Sequence, residues 1–143
     1  MPGINFFEEG TAFRISKKTA LRHWIKGTVK AEGFKLNELS YIFCSDDYLL
    51  QINLQYLNHD TYTDIITFDN SDTKNVISGD IFISVDRVRE NALNYHIAEN
   101  DELHRVMIHG ALHLLGYTDK TPADKEVMTS KEDLYLSKRH FSV

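Results

Sequence analysis

The feature that most constrains this chain is a mostly apolar segment, residues 106–115, that carries two histidines four positions apart, His109 and His113. An apolar run with this spacing predicts a helix buried among other elements, with both imidazoles on one face and one turn apart. Gly116 follows three residues later, where a left-handed residue often ends a helix. The sequence therefore predicts a central helix whose end lets the chain fold back.

The returning chain carries Asp119, which we expect to approach His109 and His113. Two imidazoles and one carboxylate leave a fourth position for water, which is typical of a catalytic zinc site. The alternative is that both histidines are hydrogen-bonded core residues, although their spacing before Gly-x-x-Asp favours a metal site. Gly110 also favours it, because a helix glycine costs about 1 kcal/mol relative to alanine. Close approach of another backbone or a ligand would explain that cost.

Length and composition indicate one globular domain, residues 1–143. Hydrophobic residues make up 42% of the chain, which is enough for a core, yet no run is long enough to cross a membrane. The N-terminus lacks the features of a signal peptide, and the single Cys44 can form no internal disulfide. We therefore expect a cytoplasmic protein with no membrane partner. The net charge of -5 gives by itself no indication of nucleic-acid binding.

Periodicity and turn residues predict elements in the order β, α, β, α, β, β, α, α, α. Strands are predicted at 3–8, 37–44, 64–69 and 76–84, and helices at 17–32, 46–56, 85–95, 100–115 and 122–139. Ser16, Asp46 and Ser84 are the predicted N-caps of the first three helices, and Gly79 suggests a β-bulge. This order predicts an α+β fold, in which a small mixed β-sheet packs with helices around a central metal-binding helix, as in zincin-like proteins.

Four basic residues form a continuous stripe along the first predicted helix because they repeat every four positions: Lys18, Arg22, Lys26 and Lys30. One interpretation is a solvated helix edge, because runs of charge usually face water. The other is a ridge that contacts substrate phosphates, which an acidic protein with a polyanionic substrate would need somewhere.

The other histidines are not predicted to bind metal. His104 lies five residues before His109, which turns it roughly 140° from the metal face if a helix turns about 100° per residue. The rest are expected to be on the surface or partly buried: His23, His59, His96 and His140.

Five segments of the chain together resemble the motifs of a known family. They contain the histidine motif, an Asn-x-x-Tyr motif, a Thr-Asp-Ile-Ile-Thr-Phe segment, a Gly-Asp-Ile strand and the approach to the metal helix: residues 109–117, 53–56, 63–68, 79–84 and 102–109. Over residues 37–136, in the same order, the chain resembles the YbeY family, the bacterial rRNA maturation factors.

The resemblance implies a metal-dependent, single-strand-specific endoribonuclease. With the ligands inferred above, we expect one zinc ion per chain, held by His109, His113 and Asp119, and a water in the open position as nucleophile or base. The expected substrates are single-stranded rRNA or pre-rRNA, and the expected partner is the ribosome or its small subunit. The implied roles are 16S rRNA 3′-end processing and ribosome quality control.

The chain departs from the family pattern at two places. The family's third ligand is a histidine that follows an aspartate, whereas the chain has Asp119 after Thr118. Aspartate binds zinc well, but it leaves the centre one unit less positive, so a bound water should be less acidic. The family's arginine after Tyr56 is replaced by Leu57. We therefore expect another phosphate-binding group or a weaker nuclease.

The position beside the first histidine argues against a peptidase. Zinc peptidases of the His-Glu-x-x-His type keep their general base there, whereas this chain has Gly110. Phosphodiester hydrolysis needs a polarised phosphoryl oxygen and an activated nucleophile, which is metal-bound water or the ribose 2′-hydroxyl.

Two alternative functions stay open. One is a metal-dependent hydrolase of another class, a peptidase or phosphoesterase, and the other is a ribosome assembly factor with a structural zinc.

Overall fold

The computed structural model describes residues 3–58 and 63–141. The elements are strands β1 (Gly3–Glu9), β2 (Lys35–Cys44), β3 (Ile65–Asp69) and β4 (Val76–Ser84), and helices α1 (Lys18–Ala31), α2 (Asp46–Ile52), α3 (Val85–Tyr95), α4 (Glu99–Leu114) and α5 (Pro122–Leu136). A π-helical turn, Asn53–Leu57, continues α2. The predicted element order and α+β class are confirmed. Among the described helices, none combines the length and apolar character needed to span a bilayer.

The four strands form one sheet in the order β1-β2-β4-β3. β1, β2 and β4 are parallel, and β3 pairs antiparallel with β4 at the edge, which confirms a mixed sheet. Parallel neighbours require a crossover, and α1 provides one between β1 and β2. Alternate residues of β2 and β4 join α1 and α4 in the main core, while a smaller cluster around Leu49 of α2 lies on the opposite face.

α4 is the central helix that the sequence predicts. Ten of its sixteen residues are buried, so it packs on most sides rather than along a single stripe. The Tyr41 hydroxyl of β2 donates to the Met107 carbonyl of α4 at 2.9 Å, and both residues are fully buried. This hydrogen bond gives a buried tyrosine hydroxyl its partner and ties the helix to the sheet.

Gly110 allows α4 to lie close to the sheet, but the atoms that approach it are not the ones expected from the sequence. A Cβ added at Gly110 would lie 2.8 Å from Ile65 Cδ1 and 2.9 Å from Ile81 Cγ2. The close neighbours are therefore side chains of β3 and β4, not another backbone or a ligand. The expectation from the sequence was wrong on this point, because periodicity shows that a residue is buried without showing what packs on it.

The β-bulge suggested at Gly79 is also wrong. Gly79 pairs in register with Leu39, and the irregularity between β2 and β4 lies elsewhere, between Leu36 and Glu38. Gly79 is instead required by crowding, since an added Cβ would lie 2.5 Å from the Phe68 carbonyl oxygen.

Only one of the three predicted helix caps is confirmed. The Ser84 hydroxyl accepts the amide three residues later, at 3.2 Å. The cap of α2 is Ser45 rather than Asp46, whose carboxylate instead accepts the Ser84 hydroxyl at 2.6 Å. At α1, Lys17 precedes the helix with a left-handed φ of 59°, so Ser16 stands too early in the chain to cap it.

We expect Gly110→Ala to lower the free energy of unfolding by about 1 kcal/mol. Overpacking against the sheet costs about 1–3 kcal/mol, and the gain in helix propensity of roughly 1 kcal/mol offsets part of it. Gly27→Ala is the matched control, because Gly27 is interior to α1 and an added Cβ meets nothing within 4 Å. This control should raise stability by up to about 1 kcal/mol. Urea unfolding measures both, and equal stabilisation of the two variants would contradict the packing role of Gly110.

Candidate metal centre

The site forms where α4 ends and the chain turns back. The Gly116 amide donates to the His113 carbonyl at 3.0 Å, and the Tyr117 amide donates to the Leu112 carbonyl at 3.1 Å. With Gly116 at a φ of 106°, these two bonds make a Schellman motif, which satisfies carbonyls that a helix end leaves free. The turn brings Asp119 back to the exposed side of the helix end.

Three side-chain atoms meet at this point. His109 Nε2 lies 3.0 Å from His113 Nε2, and Asp119 Oδ2 lies 3.4 Å from the former and 3.5 Å from the latter. In a tetrahedral zinc site with ligands at about 2.0–2.1 Å from the metal, neighbouring ligand atoms stand about 3.3 Å apart. The donor types and their spacing therefore fit a zinc-sized ion. Within the described ranges, these residues form the only group of three or more histidine, cysteine, aspartate or glutamate side chains that could hold a metal ion.

The group lies at the boundary between core and solvent. The side chains of His109 and His113 are 20% and 26% exposed, whereas that of Asp119 is 43% exposed. A metal held by these three atoms would thus be supported from the protein side and reachable from solvent. That arrangement is typical of a catalytic site rather than of a closed structural one.

The ring of His109 has a further partner on its other nitrogen. His109 Nδ1 lies 2.7 Å from Glu132 Oε2, and Arg105 Nη1 donates to the second Glu132 oxygen at 2.8 Å. Glu132 is on α5, and its side chain is only 9% exposed. The sequence did not predict Glu132, because it lies 23 residues from His109 on a different helix and no spacing rule connects the two.

A cavity of about 180 Å³ opens beside His109. Asp64 and Glu102 line it, and the Asn91 side-chain amide lies 3.4 Å from an oxygen of each carboxylate. Burial raises the pKa of Asp64 and of Glu102. Neither residue was predicted to belong to the site, although both lie in family-like segments, 63–68 and 102–109. This side of the centre is rich in carboxylates and therefore suits a cation.

The two histidines have different electrostatic surroundings. Burial acts to lower the pKa of His109, but the hydrogen bond and charge of Glu132 act against it and the net shift is upward. At His113, burial and then the positive charge of His109 lower the pKa. His113 is therefore the more readily neutral of the two, and a neutral imidazole is the form that binds metal.

The four residues of the predicted basic stripe do not all face solvent. Arg22 turns toward β1, where its Nε donates to the Ile4 carbonyl at 2.9 Å and its guanidinium lies 5.0 Å from the centre of the Phe6 ring. The other three stripe residues are exposed on α1: Lys18, Lys26 and Lys30. Arg22 thus has a packing role, and three lysines are left facing solvent.

His104 lies outside the metal group, as its position on the helix predicts. It is 5% exposed, and its Nδ1 lies 2.9 Å from Arg139 Nη1. Burial lowers the pKa of His104 to about 4, which leaves it a neutral core residue. Three other histidines are exposed: His23, His96 and His140. His59 lies outside the described residues.

Comparisons with known proteins cover most of the chain. The family model described as Endoribonuclease YbeY matches residues 6–140. Endoribonuclease YbeY of Cytophaga hutchinsonii is 54% identical over 138 residues, which are 96% of either chain. The protein of the same name from Parabacteroides distasonis is 48% identical over 94% of either chain.

One solved structure is similar to this chain over most of its length. The solution structure of TM1509 from Thermotoga maritima has a TM-score of 0.67 and 27% identity to this chain, over 94% of this chain and 87% of that one. The predicted family and the predicted enzyme class, an endoribonuclease, are thereby confirmed. The chain belongs to the endoribonuclease YbeY family.

Proposed function

We propose that this endoribonuclease depends on zinc and cuts single-stranded rRNA or pre-rRNA, in 16S rRNA 3′-end processing and ribosome quality control in the cytoplasm. The observation that carries the zinc dependence is the triangle of ligand atoms from His109, His113 and Asp119, with edges of 3.0, 3.4 and 3.5 Å. The ribosomal role rests on the family resemblance, and the relatives' names support the endoribonuclease activity itself.

The chain's own residues would divide the work around one zinc ion. His109, His113 and Asp119 would hold it, and their exposed side would receive the RNA. The chemistry that a bound zinc supplies is Lewis-acid polarisation of a phosphoryl oxygen and acidification of a water molecule. Asp64 lines the cavity beside His109, and its raised pKa lets it hold a proton at higher pH than an ordinary aspartate.

RNA phosphates need cationic partners, and the one arginine of the carboxylate-rich cavity, Arg105, is already paired with Glu132 and Asp133. The family's arginine is Leu57 in this chain, and Leu57 is 42% exposed at the end of the π-helical turn. The exposed lysines of α1 are the proposed substitute: Lys18, Lys26 and Lys30. They would hold the RNA backbone electrostatically, without selecting a sequence.

A peptidase is less well supported by the geometry. The position next to His109 that carries the general base in zinc peptidases is Gly110, which packs against Ile65 and Ile81 of the sheet. A positioned acid–base group contributes roughly 100- to 10,000-fold to a rate, so peptide cleavage without one should be very slow.

We expect purified protein to contain about one zinc ion per chain, because two imidazoles and a carboxylate complete a three-ligand site. His113→Ala removes one ligand and should leave the protein without zinc after dialysis, as measured by elemental analysis. His96→Ala is the control, since His96 is exposed and outside the ligand group. Full zinc content in His113→Ala would show that the ligands were assigned wrongly.

We expect cleavage of single-stranded RNA that a chelator abolishes, with double-stranded RNA and casein left intact. The assay incubates the protein with each substrate separately, with and without chelator, and analyses the products on gels. Chelator-sensitive proteolysis with intact RNA would contradict the proposal and favour the peptidase. Co-sedimentation with ribosomes without any RNA cleavage would instead favour an assembly factor with a structural zinc.

We expect the double substitution Lys26→Gln/Lys30→Gln to weaken RNA binding and to reduce its dependence on salt concentration, because fewer counterions are released. Cleavage at saturating RNA should change little. Lys35→Gln/Lys74→Gln is a matched control, since it removes the same charge from exposed lysines outside α1. If both double variants lose the same affinity, only net charge matters and the stripe is a solvated face.

A further inference from the structure

We propose that Glu132 is a positioning residue of the metal centre. Together with Arg105, it fixes the ring of His109 and keeps the proton of that imidazole on Nδ1, which leaves Nε2 free to bind metal. The inference rests on the proposed zinc site and assigns to α5 a role in metal affinity.

The two ring nitrogens of His109 have different neighbours. His109 Nε2 faces the ligand group, 3.0 Å from His113 Nε2 and 3.4 Å from Asp119 Oδ2. Nδ1 is the other nitrogen of the ring, and it lies 2.7 Å from Glu132 Oε2. A neutral imidazole has one donor and one acceptor nitrogen, and a carboxylate only accepts. The proton is therefore on Nδ1, and the lone pair of Nε2 faces the ligand group.

Glu132 is itself held in place by Arg105. Arg105 Nη1 donates to Glu132 Oε1 at 2.8 Å, and Arg105 Nη2 donates to Asp133 Oδ1 at 2.7 Å. The two Glu132 oxygens thus have different partners. The carboxylate cannot turn away from His109 without also disturbing its hydrogen bond with Arg105. The contacts form a continuous series from Asp133 through Arg105 and Glu132 to the metal-facing imidazole.

The ion pair joins a buried carboxylate to a partly exposed guanidinium, since the side chains of Glu132 and Arg105 are 9% and 34% exposed. Such a pair gains little net stability, because desolvation of the carboxylate offsets much of the attraction. Orientation of a metal ligand is a contribution that such a pair makes well, since partners of ligating histidines fix the tautomer and ring angle. Loss of such a partner typically weakens metal binding by roughly 10- to 100-fold.

The first test measures the zinc dissociation constant by competition with a chromophoric chelator. We expect Glu132→Gln to bind zinc about 10- to 100-fold more weakly, because the amide group can donate to Nδ1 and favour a proton on Nε2. Asp133→Asn is the matched control, since Asp133 contacts the same arginine but its side chain is 61% exposed. Its affinity should stay within about threefold of the wild-type value. An unchanged affinity in folded Glu132→Gln would overturn the inference.

The second test reads the tautomer directly and needs no variant that might misfold. Nitrogen-15 NMR of labelled histidines is recorded on the metal-free wild-type protein, at a pH where His109 is neutral. We expect a protonated Nδ1 and an unprotonated Nε2 at His109, and a proton on Nε2 would overturn the inference. In Glu132→Gln we expect the second tautomer to be populated, which a purely structural role of Glu132 would not cause.

The two tests separate this inference from the proposed function. If the wild-type protein binds no zinc, the proposed zinc dependence fails, and the tautomer in the metal-free protein still decides the role of Glu132. If zinc binds and His113→Ala abolishes binding while Glu132→Gln does not weaken it, the zinc site stands and the positioning role fails.

Discussion

The packing of α4 against the sheet is the constraint on which the rest of the structure depends. The helix approaches closely because Gly110 presents no side chain to Ile65 and Ile81, and the Tyr41 hydroxyl fixes its position along the sheet. The first turn of the helix is exposed at Glu99 and Asn100, and the last turns are buried except at the partly exposed His109 and His113. His109 lies there on rigid, buried backbone, so a ligand group at this end is held firmly before any metal arrives.

The turn after α4 carries Asp119, and it is also tied to the surrounding helices. The Tyr117 hydroxyl donates to Glu32, just after α1, at 2.6 Å. Glu32 also accepts a hydrogen bond from Lys131 at 3.2 Å and one from the Tyr135 hydroxyl, both on α5. The loop that carries Asp119 is thus anchored by α1 and α5, and the candidate metal centre depends on three helices rather than on one motif.

The electrostatics around His109 fit a cation better than a nucleic acid. Three carboxyl groups line the cavity beside a single arginine, those of Asp64, Glu102 and Glu132. Burial first, and then the negative charge of neighbouring carboxylates, raise the pKa of Asp64 and of Glu102. A bound cation would reduce this repulsion before an RNA phosphate arrives. The proposed RNA-binding surface is separate from this cavity and consists of the exposed lysines of α1.

Local rules allowed the sequence by itself to determine the central helix, the mixed α+β order and the meeting of His109, His113 and Asp119. The four-residue spacing of the histidines, the left-handed Gly116 and the short return to Asp119 all lie within residues 109–119. Only the tertiary structure placed Glu132 against His109 and the side chains of Ile65 and Ile81 against Gly110. These contacts join residues that are distant in the chain, and periodicity shows which face is buried without showing which residue it meets.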